Sequence, residues 1–311
     1  MATTKPSFAS MWTQFFPPKP EFTENDIPSD LSGKVYLVTG ATSGMGKELA
    51  RLLYSRNANV YAACRDKEKT LAAISEMKKT APTSTGELVL LPLGLADLAK
   101  VKNCAEEFLS RETKLHVLFN NAGVMTGPAT PAPKTAQGYE LALGVNCVGT
   151  FLLTKLLMQY APEDFGIDMD NLDYHVPKPG IDRYGISKCG DWLLGVEFGR
   201  RYKADGIVSV PVNPGNVLTE LARNAAWWLK VVGRLVASRV SFGVSTQLFS
   251  AFSPNIKIDK VDWTKDWVIP WGRLAPLRAD LPKAVIPEEE GGNGNARLFW
   301  EWNEEQVKYY L

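Results

Sequence analysis

The sequence predicts an α/β fold with a doubly wound, mainly parallel sheet. Short apolar runs alternate with segments of helical periodicity, and a glycine cluster stands between the first run and the first helix. Such alternation is typical of right-handed βαβ units. With 311 residues, 45% of them apolar, the chain can form one large domain of about 250 residues with appendages.

The alternation starts at Lys34 and predicts the elements in order. In the first half, strands are expected over residues 35–39, 59–63, 87–93 and 115–120, with helices starting at Gly44, Asp66 and Ala96. In the second half, helices are expected over residues 139–158, 181–203 and 296–310, helical pieces across 219–252, and strands over 207–213 and 266–270. In the last helix, Glu304 and Lys308 have the i,i+4 spacing of an ion pair.

The expected domain organisation is a single domain over residues 33–311 behind an arm over residues 1–32 that is rich in Pro and aromatic residues. We expect the arm to pack against the domain, although Pro17 to Pro20 also matches the P-x-x-P pattern of a polyproline ligand. Residues 218–253 are predicted to hold an apolar substrate lid, with ordinary amphipathic packing as the alternative. Residues 295–311 are predicted to form a docking helix.

Charge and composition exclude several classes of function. Because 35 Lys and Arg balance 34 Asp and Glu, no basic block indicates a nucleic-acid partner. No apolar run reaches the ~18 residues of a membrane span and no signal-peptide pattern opens the chain, so a cytoplasmic protein is expected. The four Cys are too dispersed for a disulfide framework or a metal site. With only two His, of which His116 is interpreted as a core residue, a hydrolase triad is disfavoured.

The glycine cluster has the pattern of a dinucleotide phosphate loop. The first strand runs directly into Gly40, Thr42, Ser43, Gly44, Met45 and Gly46, and a helix follows. Gly40 permits the tight turn, Gly44 lets the backbone approach a pyrophosphate, and Gly46 lets the helix pack closely on the strand. The helix N-terminus then presents unpaired N–H groups to the anion, so a dinucleotide site is predicted.

The end of the second predicted strand indicates which dinucleotide binds. Cys64 stands where an acidic residue would hold a ribose 2′-OH, and Arg65 follows it. A guanidinium can pair with a 2′-phosphate that no carboxylate repels, so NADP(H) is favoured over NAD(H). The alternative is that Arg65 is solvated surface and Asp66 turns inward.

Together with Tyr184-Gly185-Ile186-Ser187-Lys188, these features make the chain resemble the short-chain dehydrogenase/reductase family. The matching motifs follow in the family's order: the glycine loop, Asn120-Asn121-Ala122-Gly123, Asn146, Tyr-x-x-x-Lys and the run from Asn213 to Thr219. Segments such as Val268-Ile269-Pro270-Trp271-Gly272-Arg273 look like the fungal retinol-dehydrogenase-like branch. The resemblance implies a Rossmann-like fold.

The spacing and the resemblance assign expected roles to individual residues. Tyr184 and Lys188 are four apart, hence on one helix face, where the cation is expected to lower the Tyr pKa from about 10 and permit general acid/base work. The resemblance further implies that Lys188 holds the nicotinamide ribose and that Asn146 supports a water-linked proton relay. By the same resemblance, Asn121 lies on the adenosine side, and Val217 and Thr219 contact the nicotinamide end.

The implied reaction is hydride transfer between the nicotinamide and a carbonyl or secondary alcohol. The apolar residues of the expected lid suggest a small lipophilic substrate, and the fungal resemblance suggests secondary metabolism. A homo-oligomer is left open by the resemblance, and no nucleic-acid, metal or membrane-spanning component is expected.

The sequence departs from the family pattern in two places. Between Cys147 and Arg183 there is no Ser to bind the reacting oxygen, and no β-branched run fills the expected central strand there. Losing one such donor typically costs ~10² to 10³ in turnover. Gly94 stands where the family usually has an Asp that contacts adenine. The alternative function is therefore a catalytically impaired cofactor-binding or interaction protein.

Overall fold

The central sheet has four parallel strands in the order β3-β2-β1-β4. The computed structural model describes residues 17–127, 132–158, 172, 180–217, 238–264, 266–277 and 281–311. The strands are β1 (Val35–Thr39), β2 (Asn59–Cys64), β3 (Leu88–Pro92) and β4 (Val117–Phe119), connected by helices α1 (Gly44–Ser55), α2 (Lys67–Thr80) and α3 (Leu98–Arg111). Parallel strands with crossover helices confirm the predicted fold class.

Helices dominate the second half of the described chain. Its elements are α4 (Leu141–Leu143), a π-helical segment (Gly144–Gly149), α5 (Thr150–Met158), α6 (Gly180–Arg201), α7 (Val240–Phe252), the antiparallel pair β5 (Asp266–Ile269) and β6 (Arg273–Pro276), α8 (Leu281–Val285) and α9 (Asn295–Val307). Single 3₁₀ turns cover Glu288–Glu290 and Lys308–Tyr310. No helix among the described residues is long and apolar enough to cross a membrane.

Strand β1 is buried on both faces, as a central parallel strand must be. Because side chains alternate along a strand, Leu37 joins the apolar cluster that also contains residues of α3, α5, α6 and α9. Tyr36 and Val38 join the opposite cluster, built largely from α1, α2 and α7. Two layers of helices therefore hold the carboxyl end of β1, where the glycine loop starts.

Several predicted elements need correction. Residues 207–213 do not form a strand, because a regular strand needs a ladder of paired neighbours and only Val212 pairs, in a single bridge to Val268 of β5. The strand predicted over 266–270 is the first half of the β5–β6 hairpin, and the second half, β6, was not predicted. His116 is exposed, and its Nδ1 accepts a hydrogen bond from the backbone N–H of Val35 at 2.9 Å, so it is not a core residue.

The predicted ion pair between Glu304 and Lys308 is also wrong. Lys308 pairs with Glu305, because the α-helix ends at Val307 and the following 3₁₀ turn aligns side chains three residues apart. Glu304 instead pairs with Lys155 of α5. This contact ties α9 to the helix layer beneath it.

The ends of the described chain pack on the domain. In the arm, Phe22 makes an edge-to-face contact with Phe249 of α7, with the ring centroids 5.7 Å apart, and Ile27 and Leu31 are buried. Residues 1–16 lie outside the described residues. Of the expected lid, 218–237 also lies outside them, and α7 is a core helix in which Val244 is fully buried. The division into arm, lid and docking helix stays a prediction.

Candidate active site

The glycine loop joins β1 to α1 in the geometry that its sequence requires. Gly40 and Gly44 have φ values of 72° and 57°, a region that strongly favours glycine. A Cβ on Gly46 would lie 2.6 Å from the carbonyl oxygen of Gly40, so only glycine lets α1 pack this closely. Thr42, Ser43 and Met45, the other predicted loop residues, are partly exposed between them.

The N-terminus of α1 differs from those of the next two helices. Asp66 caps α2 and Asp97 caps α3 by accepting backbone N–H groups. Ser43 precedes α1 without a capping hydrogen bond, and the first turn of α1 carries no acidic residue. The N–H groups there are therefore not occupied by a side-chain cap, which fits the binding of a phosphate.

The side chain of Asn121 is hydrogen-bonded to the backbone at the start of the glycine loop. Its Nδ2 donates to the carbonyl oxygen of Thr39 at 2.9 Å, and its Oδ1 accepts from Nε2 of Gln247 at 3.0 Å. The Thr39 hydroxyl in turn accepts from the backbone N–H of Ala122 at 2.9 Å. The amide of Asn121 thus links the end of β1, the loop after β4 and α7.

Lys188 and Asn146 lie next to Gly123, and Lys188 lies close to Tyr184. Lys188 Nζ lies 5.9 Å from the ring centroid of Tyr184, one turn away on α6. A Cβ on Gly123 would lie 3.3 Å from Asn146 Oδ1 and 3.5 Å from Lys188 Nζ. The glycine of the Asn-Asn-Ala-Gly motif therefore lets the loop after β4 approach both groups.

Asn146 lies in the π-helical segment and is buried. Its Oδ1 accepts from the backbone N–H of Val124 at 2.8 Å, and its Nδ2 donates to the carbonyl oxygen of Val124 at 3.0 Å and to Ser187 Oγ at 2.9 Å. Single π-helical turns are frequent at functional sites. The amide of Asn146 connects the loop after β4 to the Tyr-x-x-x-Lys helix.

Burial and charge act in opposite directions on Tyr184. Burial raises the pKa of the phenol, Lys188 lowers it, and the Asp191 carboxylate raises it again, so the net direction is upward. The predicted lowering of the Tyr184 pKa is therefore wrong in its net direction, because burial and Asp191 outweigh the effect of Lys188. Asp191 was missed, although its position one turn after Lys188 was a signal for an ion pair, and that ion pair is present.

Two further groups at the site had not been predicted. Ser187 is buried, and its hydroxyl donates to the carbonyl oxygen of Tyr184 at 2.8 Å while accepting from Asn146. Arg183 and Glu140 form a buried ion pair with Arg183 Nε 3.5 Å from Glu140 Oε1, and Arg183 also donates to the carbonyl oxygen of Gly127. A charged residue next to Tyr184 was the only sequence signal of that pair.

The residues after the second strand differ in what their side chains contact. Arg65 is exposed and forms no ion pair with any described residue. The Asp66 carboxylate accepts from the backbone N–H of Lys69 at 3.0 Å, so it caps α2 rather than turning inward. Cys64 Sγ accepts from the backbone N–H of Ala41 at 3.1 Å, beneath the glycine loop.

The side chains of Val217 and Met45 both pack close to Gly243 of α7. A Cβ on Gly243 would lie 2.6 Å from both Met45 Sδ and Val217 Cγ2. The segment after Asn213-Pro214-Gly215 therefore reaches the glycine loop. Thr219 lies outside the described residues. Within the described part of the chain, no group of three or more His, Cys, Asp and Glu could hold a metal ion.

Comparisons with known proteins agree with the motifs. The family model described as short chain dehydrogenase matches residues 34–230. A short-chain dehydrogenase/reductase of Phomopsis amygdali is 47% identical, with 98% of each chain covered. Human retinol dehydrogenase 11 is 34% identical over 78% of this chain and 80% of its own length.

Solved structures share the fold. An uncharacterized protein of Mycobacterium paratuberculosis is 26% identical with a TM-score of 0.66, covering 92% of this chain and 97% of its own. A short-chain dehydrogenase from Sphingobium yanoikuyae is 21% identical with a TM-score of 0.53, covering 70% and 84%, and shows the fold alone.

The Phomopsis alignment also has internal gaps. It extends over 332 positions, whereas this chain has 311 residues, so at least 21 aligned positions have no residue here. The sequence contains no Ser between Cys147 and Arg183, and residues 159–171 and 173–179 of that stretch lie outside the described residues, so the predicted loss of a strand there stays a prediction. From the family match and these identities, we conclude that the chain belongs to the short-chain dehydrogenase/reductase family.

Proposed function

We propose that the protein is an NADP(H)-dependent oxidoreductase that interconverts a carbonyl and a secondary alcohol on a small lipophilic substrate. The observation that carries the proposal is the cluster in which Lys188 lies close to Tyr184 and, with Asn146, next to Gly123. A phenol, a cation one turn away and a fixed amide form a proton-transfer site next to a dinucleotide cradle.

In this proposal each residue of the cluster has one task. The nicotinamide, when bound, supplies or accepts the hydride. Tyr184 gives its proton to the carbonyl oxygen during reduction and takes it back during oxidation. Lys188 stabilises the phenolate electrostatically and binds the ribose, and Asn146 keeps the loop after β4 against α6. The N–H groups at the start of α1 bind the diphosphate.

The preference for NADP(H) is supported by Arg65 and Asp66. Arg65 is exposed beside the end of β2, while Asp66 is engaged in capping α2, so a 2′-phosphate would meet a cation and no inward carboxylate. Structures with the same fold were solved with NADPH and with NADP, and one from Brucella melitensis with NADH. The fold therefore accepts both cofactors, and the preference rests on Arg65.

The substrate class is proposed from the relatives and the apolar segment after Thr219. Human retinol dehydrogenase 11 is named for an apolar alcohol, and relatives from Phomopsis amygdali and Neocamarosporium betae are 47% and 45% identical. We therefore propose a role in fungal secondary metabolism. A cytoplasmic location and association of identical chains are further parts of the proposal.

The test is NADPH oxidation with a panel of lipophilic ketones, comparing the wild type with Tyr184→Phe. We expect the variant to bind NADPH normally and to lose at least ~10² in kcat. Tyr309→Phe is the matched control, because Tyr309 is 82% exposed and distant in the chain from the motifs. Equal rates for Tyr184→Phe and wild type would contradict the proposal. NADPH binding by the wild type without turnover on any ketone would favour the impaired cofactor-binding protein.

A further inference from the structure

Lys188 and Asp191 form an ion pair on α6. Both side chains are partly shielded, with 40% and 27% of their surface exposed. In isolated helices the acidic partner is more stabilising when it precedes the basic one, and here it follows. Helix stability therefore gives a poor explanation for this carboxylate at this position.

The surroundings of the pair contain few other titratable groups. Among the described residues, the groups that act on Lys188 are Asp191 and Tyr184 on α6 and Cys147 on the π-helical segment. The Cys147 thiol donates to the carbonyl oxygen of Ser187 at 3.2 Å, and burial raises the pKa of this thiol well above its usual range. Asp191 is thus the one acidic residue that acts on Lys188 within the described part of the chain.

We propose that Asp191 is a positioning residue that acts through Lys188, holding its ammonium and offsetting part of the charge with which Lys188 assists proton transfer by Tyr184. This inference rests on the proposed function, because it assigns a purpose to a group beside the proton-transfer pair. The negative charge of Asp191 opposes formation of the phenolate, while its hydrogen bond restrains the Lys188 side chain.

The sign of the effect follows from the charges. Burial opposes the charged form of Lys188, but Asp191 and Tyr184 outweigh it, so the pKa of Lys188 is raised. Burial is the largest cause that raises the pKa of Tyr184. Lys188 lowers this pKa, and Asp191 raises it. Removing the carboxylate should therefore lower the pKa of both groups, since one loses its counter-ion and the other loses a nearby negative charge.

The experiment uses Asp191→Asn, which keeps the shape and removes the charge, and Asp191→Glu, which keeps the charge. For oxidation of a secondary alcohol, the acidic limb of the kcat/KM profile reports deprotonation of Tyr184. We expect this limb to move to lower pH by about one unit in Asp191→Asn and to return toward the wild-type position in Asp191→Glu. Glu305→Gln, which removes the acid from an exposed Lys308 pair, should not move it.

A second readout does not depend on turnover. The rate at which Lys188 is acylated, followed by mass spectrometry over pH, gives the midpoint of its deprotonation. We expect the wild-type midpoint of Lys188 to lie above the ordinary lysine value of 10.5, and the midpoint in Asp191→Asn to lie below that of the wild type. The wild-type comparison is informative even where the variant does not fold.

The two readouts separate the failure of the inference from that of the proposed function. A wild-type Lys188 midpoint at or below the ordinary lysine value of 10.5, or an unchanged midpoint and pH profile in a folded Asp191→Asn, would overturn the role of Asp191. Absence of any turnover in the wild type would instead count against the proposed function, and the labelling experiment would still decide whether Asp191 holds Lys188.

Discussion

Nε2 of Gln247 donates a hydrogen bond to Oδ1 of Asn121 across 3.0 Å and so joins α7 to the loop after β4. Asn121 uses its other amide atom on the carbonyl oxygen of Thr39, the last residue of β1. The start of the glycine loop is therefore held by a helix from the C-terminal half. Stability and cofactor binding should depend together on this contact.

Gln247→Leu should lower both the stability of the protein and its affinity for NADPH. The substitution removes the donor to the half-buried Oδ1 of Asn121, which costs about 0.5–1.5 kcal/mol, and it loosens the hold of Asn121 on the start of the glycine loop. We expect Tm to fall by several degrees and the NADPH Kd to rise. The measurements are thermal unfolding and fluorescence titration with NADPH. Ser250→Ala on the same helix is the control, since its hydroxyl bonds only the carbonyl oxygen of Thr246, and an equal loss there would contradict the prediction.

Arg65→Ser should change the cofactor preference. A charged hydrogen bond to a 2′-phosphate contributes about 1.5–3 kcal/mol, so the NADPH Kd should rise by roughly 10- to 100-fold while the NADH Kd stays the same. Titration with both nucleotides measures this. Lys67→Ser removes a neighbouring exposed cation and should affect NADPH much less. A parallel loss of NADPH and NADH affinity would show that Arg65 does not read the 2′-phosphate.

Gly46→Ala and Gly185→Ala should have opposite effects, although both glycines lie in helices of the site. A Cβ at position 46 would lie 2.6 Å from the backbone oxygen of Gly40, so α1 must move and both stability and NADPH binding should fall. A Cβ at position 185 meets nothing within 4 Å, and alanine there should raise stability by about 0.5–1 kcal/mol. Chemical denaturation measures both changes, and destabilisation by Gly185→Ala would refute the second.

Glu304→Gln should destabilise the protein more than Glu305→Gln. Lys155 and Glu304 keep only 11% and 18% of their side-chain surface exposed, and Lys155 also lies over the ring of Trp300 at 5.3 Å. Removing the carboxylate takes a buried charge partner away from the shielded ammonium of Lys155, at a cost of about 1–3 kcal/mol. Glu305 pairs with Lys308 in an exposed position, where such pairs contribute about 0–1 kcal/mol. Equal Tm values for the two variants would contradict this ranking.

Patterns within a few residues allowed much of the site to be predicted. The glycine loop could be recognised because its backbone conformation requires glycine at Gly40 and Gly44, and this requirement is visible in the sequence itself. Tyr184 and Lys188 could be placed on one face because helical spacing is local. The four parallel strands followed from the regular alternation of apolar runs and helical segments.

Contacts between distant segments could not be predicted in this way. Gln247 is hydrogen-bonded to Asn121, and Glu304 pairs with Lys155 rather than with Lys308. Both contacts form because segments from separate parts of the chain pack side by side. Residues 207–213 have the composition of a strand but pair only at Val212, since pairing needs a neighbour along the whole length.

The amino-acid sequence alone determined the α/β class, the glycine loop and the placement of Tyr184 and Lys188 on one helix, because these depend on backbone preferences and on spacing along one helix. Only the tertiary structure decided that Asn146 joins the loop after β4 to Ser187, and that α7 supports Asn121. It also decided that Asp191 shares Lys188 with Tyr184. The physical reason is that hydrogen bonds and charges act over a few ångströms in space, and packing decides which distant residues come that close.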